Sequence, residues 1–115
     1  MNSLDLNERA VGAGKDASTS FALKFPRLKP GERWEVHYLS FRDATSDPSR
    51  ADIYKEGQGY NHFLGQKQPM VAGYIYTLDE PFWVGEGETL VVEFFGGGSS
   101  DDLEAWVTGT QWVKE

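Results

Sequence analysis

Apolar and polar residues alternate with a period of two along most of this chain, and no helix-period segment longer than two turns is visible. Between residues 20 and 25, Phe21, Leu23 and Phe25 alternate with Ala22 and Lys24, the pattern of a half-buried strand. Over residues 33–41 one parity carries Trp34, Val36 and Tyr38, while Leu39 and Phe41 occupy the other. The apolar face therefore switches near Tyr38, which predicts a bulge or a strand passing from one sheet to the other. Trp34 reads as core. Short strands follow at 51–55 and 60–64, and Tyr74, Tyr76 and Leu78 share a parity in a strand predicted over 71–78. Residues 81–84 read as a short edge piece. In the last third Leu90, Val92 and Phe94 alternate with Val91, Glu93 and Phe95, and a Gly/Ser/Asp loop leads to a final strand over 103–113.

Turn chemistry punctuates these segments. Pro30-Gly31 suits a type II turn, and Gly85-Glu86-Gly87-Glu88 is the strongest turn signal in the chain. Seven or eight strands at roughly ten-residue spacing predict an all-β, antiparallel β-sandwich of jelly-roll type. Residues 1–17 hold only Leu4, Leu6 and Val11 as large apolar residues. Such a segment buries little on its own, so it reads as an extended N-terminal arm, mobile alone or ordered against a neighbour. Residues 18–115 form the single β-sandwich domain.

Composition narrows the possible functions. With 115 residues the chain is long enough for one core, and with no cysteine it must hold by packing, without disulfides or thiolate metal sites. Its 4 Trp, 5 Tyr and 7 Phe provide large buried areas for that purpose. Eleven basic against eighteen acidic residues give −7, with no basic patch, which argues against nucleic acid as a partner. The first residues lack both the basic and the apolar regions of a secretory signal, and no apolar run spans a bilayer. The expectation is a soluble, cytosolically made protein with no membrane partner.

Catalytic and cofactor motifs are weak. Val11-Gly12-Ala13-Gly14-Lys15 looks like the end of a phosphate loop, but Arg9 stands where the first glycine belongs and Asp16 follows the lysine. His37 and His62 are isolated, and no serine lies in a Gly-x-Ser-x-Gly elbow, so the chain is not expected to be an enzyme. Asp101-Asp102 and the pair Asp43 and Asp47 are the only candidates for calcium. Neither shows the spaced D-x-D-x-D-G pattern, and solvated surface carboxylates are the expected reading, with no metal and no cofactor. The final strand leaves two alternatives open. If Ala105, Val107 and Val113 face the core, Trp106 and Trp112 point outward and mark a partner or sugar-stacking surface with Thr110 and Gln111. If the tryptophans face the core, the small residues lie outside.

The order of elements carries a resemblance. Trp34-Glu35-Val36-His37-Tyr38-Leu39, a loop, Ala51-Asp52-Ile53-Tyr54-Lys55, then the run from Pro81 to Val92 and Asp102-Leu103-Glu104-Ala105-Trp106-Val107-Thr108-Gly109 resemble small jelly-roll or β-sandwich virion proteins of tailed bacteriophages. The resemblance covers residues 20–110. It implies a structural part of the virion, a head decoration or minor capsid protein or a component near the head-to-tail junction, binding a major capsid or other virion protein. It further implies a homo-oligomer, a trimer around a local axis, made in the bacterial host cytoplasm. Leu4, Leu6 and Val11 of the arm, with Trp83, Trp106 and Trp112, are the expected contact residues. A carbohydrate-binding module of the same architecture, taking a glycan on exposed Trp, is the alternative function.

Overall fold

A computed structural model describes residues 2–13, 20–96 and 101–114. These residues form nine strands: β1 (Asn2–Ala13), β2 (Ser20–Lys24), β3 (Glu32–Asp43), β4 (Arg50–Gly57), β5 (Tyr60–Lys67), β6 (Tyr76–Leu78), β7 (Phe82–Val84), β8 (Thr89–Phe95) and β9 (Asp102–Val113). No helix occurs among them. One sheet runs β1-β9-β3-β6, with β7 also on β3; the other runs β2-β8-β4-β5, and every pairing is antiparallel. First pairs with last, second with second-last, and β3 with the split strand β6/β7, so the chain is a long hairpin rolled into two layers. This is the jelly-roll β-sandwich that the strand spacing predicts.

Side chains alternate inward and outward on each strand, and the inward ones meet between the sheets. Leu39, Phe41, Ala105 and Val107 from one sheet and Ile53, Leu90, Val92 and Phe94 from the other are buried, with Trp34 at one end as predicted. The Phe41 ring meets the Phe94 ring edge-on across the layers at 6.2 Å and stacks on Tyr76 at 6.3 Å. Phe25 meets Trp34 edge-on at 6.1 Å.

The change of parity in β3 is a bulge. Val36 pairs with Gly109 and Tyr38 with Thr108, leaving His37 as the extra residue. Val36 and Leu39 thereby both reach the core, while Tyr38 turns outward. Gly109 is the residue that accommodates the bulge: a Cβ there would lie 2.0 Å from the Glu35 carbonyl oxygen. Both predicted glycine turns form. Glu32 N–H donates to the Lys29 carbonyl at 3.0 Å with Gly31 at φ 86°, and Glu88 N–H donates to the Gly85 carbonyl at 3.1 Å.

Two expectations differ from the observed fold. Residues 2–13 of the stretch read as an arm are strand β1, paired with β9 along its whole length, from Asn2 opposite Val113 to Ala13 opposite Asp102. Leu6 and Ala10 face the core from this edge, and β9 supplies the pairing that β1 lacks alone. The strand predicted over 71–78 is shortened to β6. Residues 71–74 form a turn, closed by Tyr74 N–H on the Val71 carbonyl at 3.2 Å. The Gly14-Lys15-Asp16 segment and the glycine-serine stretch 97–100 lie outside the described residues.

Candidate interaction face and end loops

The two outer faces of the sandwich differ in chemistry. On the four-stranded sheet the outward side chains are tied to one another. The Tyr54 hydroxyl donates to Glu93 Oε1 at 3.0 Å, the Ser20 hydroxyl donates to the same carboxylate, Gln66 Nε2 donates to Asp52 Oδ1 at 2.8 Å, and Lys24 pairs with Glu56 at 3.1 Å. Burial, and then the bond to Glu93, push the Tyr54 phenol above its ordinary range. The polar groups of that face are bonded to one another, and beside them lie the exposed Phe63 ring and Phe95 with Arg50 over it at 4.0 Å.

On the five-stranded sheet the outward positions carry aromatic rings among charged groups. Leu103, Ala105 and Val107 are buried, so β9 turns Trp106 and Trp112 outward, which decides between the two alternatives for the final strand. Gln111 falls on the opposite parity: its Nε2 donates to Glu32 Oε2 at 2.7 Å at the inner rim, away from both tryptophans. The Trp83 ring, on β7 opposite Glu35, is 45 % exposed and Tyr38 is similarly open. The arginines of β3 cover this row. Arg33 lies over the Trp83 ring at 5.1 Å and Arg42 over Trp106 at 5.8 Å, both within cation–π range.

Ion pairs hold Arg42 and Arg9, and a hydrogen bond holds Trp112. Arg42 donates to Glu104 Oε1 from Nε at 3.0 Å and from Nη2 at 2.7 Å, and Arg9 of β1 reaches Oε2 of the same carboxylate at 2.7 Å. The bonds from Arg9 and then Arg42 hold the Glu104 carboxyl below its ordinary range. Glu35 is held low in the same way, first by His37 and then by Trp112, whose Nε1 donates to Glu35 Oε1 at 3.2 Å. Trp112 is thus oriented by a hydrogen bond and Trp106 by a guanidinium.

The other predicted contact residues separate. Leu6 is in the core and carries no contact; Leu4 and Val11 are exposed at opposite ends of β1. The 71–75 turn, absent from the expected contact residues because it read as strand, presents Tyr74 at 64 % and Ile75 at 59 % exposure, with Val71 beside them. It is braced against the pole of the sandwich where β3 ends: Gly73 N–H donates to the Asp43 carbonyl at 2.8 Å and Ala72 N–H to Asp47 Oδ1 at 2.6 Å. Asp43 and Asp101, expected among solvated surface carboxylates, are buried at that pole. His37 and His62 sit on different sheets, and among the described residues no three His, Asp or Glu side chains converge as a ligand set for a metal. The depressions there are open; one of about 420 Å³ is lined by Arg9, Val11, Arg42 and Glu104.

No protein-family model matches the sequence, and no curated protein matches it either. Among solved structures, the fold is similar to that of a subunit described in "Bacillus endospore appendages form a novel family of disulfide-linked pili", at 7 % identity and a TM-score of 0.52, covering 98 % of this chain and 89 % of that one. A mutant of a family 29 carbohydrate-binding module matches at 12 % identity and a TM-score of 0.37, over 90 % of this chain and 70 % of that one. A chain of infectious bursal disease virus, Gt strain, matches at 13 % identity and 0.39, over 96 % of this chain and 32 % of that one. The first likeness shows the shared β-sandwich fold; the other two, below 0.5, carry no argument. The pili are disulfide-linked, whereas this chain has no cysteine.

Proposed function

We propose that this chain is a non-catalytic structural subunit that binds a larger protein shell, in its specific form a decoration or minor capsid protein of a tailed-bacteriophage virion. One observation carries the choice of a protein partner. An arginine lies over one face of Trp83 and of Trp106, leaving less ring surface for a sugar to stack on, while large apolar groups remain open at Tyr38, Val71, Tyr74 and Ile75. Aromatic rings and arginines together are the side chains enriched at the centres of protein interfaces. In this reading copies sit at subunit junctions, and the area buried by many repeated contacts stabilises the shell by mass action. Self-association, as a trimer around a local axis, belongs to the same proposal.

Co-sedimentation of the purified chain with phage heads of the source system tests it. Saturable, stoichiometric binding that Tyr74→Ala with Ile75→Ala abolishes supports the reading. A chain left in the supernatant as a clean monomer removes it. A glycan-binding function is the second reading, favoured by the 45 % exposed Trp83 ring beside the polar row of Glu35 and His37. It predicts a saturable shift of tryptophan fluorescence on adding oligosaccharide, lost in Trp83→Ala.

A further inference from the structure

β1 is the outermost strand of its sheet: β9 pairs with it on one side, and among the described residues no strand pairs with it on the other. A free edge of this kind presents a row of unpaired N–H and C=O groups, and folds ordinarily guard it with a short strand, a bulge, or proline and lysine along it. The other edges of this sandwich carry such guards. β2 has 5 residues, β5 has a register shift against β4, and the edge opposite β1 is split into β6 and β7, of 3 residues each, with Pro81 between them. β1 has none of these: it runs 12 residues without a register shift, a proline or a lysine.

The residues along this edge complement a second copy of themselves. Leu6 and Ala10 point to the core, so Ser3, Asp5, Asn7, Arg9 and Val11 lie on the outer face. Residues opposite one another in an antiparallel pair share a face, so only registers that set odd positions against odd ones keep both outer faces on one side. With Asn7 opposite itself, nearly the whole strand pairs, and Asp5 falls opposite Arg9 of the partner subunit. Moved by one step either way, Asp5 meets Asn7 or Val11 instead, and the second of these sets Glu8 against Glu8. Both charged side chains are exposed, and Arg9 uses only Nη2 on Glu104. In the matched register the exposed Leu4 and Val11 also gain Ala10 and Ser3 of the partner subunit as cross-strand neighbours.

We propose that a second copy of this chain docks on β1, edge to edge about a two-fold axis at Asn7, joining two five-stranded sheets into one. The axis makes the contact isologous, so both Asp5–Arg9 pairs form and the assembly closes as a dimer. The contact does not rest on the shell reading; on a decorated shell it would link neighbouring trimers in pairs, since an isologous contact does not close a ring of three.

Sedimentation velocity of the full chain over about 10 µM to 1 mM tests the contact, because an edge of backbone bonds with few apolar side chains belongs with small, weak interfaces. The expected result is a monomer–dimer equilibrium. Asp5→Arg turns both charge pairs into repulsions and is expected to weaken the dimer about tenfold, and Arg9→Glu does the same. An equimolar mixture of the two variants sets opposite charges face to face again and should restore it. The chain has no cysteine, so Asn7→Cys, at the axis, should give a disulfide-linked dimer on mild oxidation, while Ser3→Cys should not. If Arg9→Glu is not recovered, because it sets a second carboxylate beside Glu104, the Asn7→Cys result decides alone. A chain that stays monomeric at the highest concentration overturns the proposal. So does an oligomer that ignores Asp5→Arg, or one that links through Ser3→Cys as readily as through Asn7→Cys. No phage heads enter these measurements, so each result is read independently of the shell proposal.

Discussion

Gly109 is the position where a single methyl group is least tolerable. Its Cβ would stand 2.0 Å from the Glu35 carbonyl oxygen and 3.0 Å from His37 N, so β3 and β9 would have to part at the bulge. Gly109→Ala is expected to cost about 3 kcal/mol or more, read as a shift of the urea midpoint. The switch of apolar parity at Tyr38 made the bulge legible in the sequence, but the need for glycine opposite it was not. That need comes from a strand some seventy positions away in the chain, and only pairing reveals it. Asp43 was hidden for a similar reason. Burial and the neighbouring Asp101 push its carboxyl up to about 6, above the 3.8 of an exposed aspartate. A raised carboxyl favours the folded chain once protonated, so its contribution is present at low pH and is lost as pH rises through about 6. Glu35, Glu88 and Glu104 are lowered from 4.5, and their contribution is lost as pH falls below that value. Stability should therefore peak near pH 4.5 and decline toward about pH 6, and Asp43→Asn should flatten that decline in a midpoint-against-pH curve.

At the level of elements, the edge strands were the hardest to read. Apolar alternation marks a strand that buries one whole face, as β8 does with Leu90, Val92 and Phe94. β1 has a neighbour on one side only and reaches the core with Leu6 and Ala10 alone, so its sequence gives little sign of the twelve-residue ladder it forms. Removing residues 1–13 is expected to leave β9 with an unpaired edge and to expose the inner end of the core. The measurements are a lowered unfolding midpoint and concentration-dependent aggregation in light scattering. In the intact chain the amides of β9, paired on both sides by β1 and β3, should exchange with deuterium more slowly than those of β1. The 71–75 turn illustrates the opposite error. The shared parity of Tyr74, Tyr76 and Leu78 suggested a strand from residue 71, but the hydrogen bonds to Asp43 and Asp47 hold the backbone at 72–73 in a turn instead.

For the molecule as a whole, the β-sandwich was legible because short segments, several of them alternating, are separated by turn signals at roughly ten-residue spacing, whereas the pairing of first strand with last was not. The outer chemistry was legible only in part. Trp106 and Trp112 were identified as outward candidates, whereas the arginines covering the rings lie on another strand, and Gln111 was placed with them although its parity takes it to the other side. Replacing Tyr38 and Trp83 together by alanine should leave the unfolding midpoint within a few degrees of wild type, since neither ring enters the core. A large drop in circular-dichroism melts would show that the outer row supports the fold itself. The pairing of first strand with last has one more consequence. Asn2 lies opposite Val113, while Ala13 and Asp102 meet at the other end of the same ladder, roughly 35–40 Å away, beside Asp43. A fluorescent protein or affinity tag fused ahead of residue 2 or behind residue 114 would emerge from the same end in either case. Each fusion would leave the carboxylate pole and its exposed turn unobstructed.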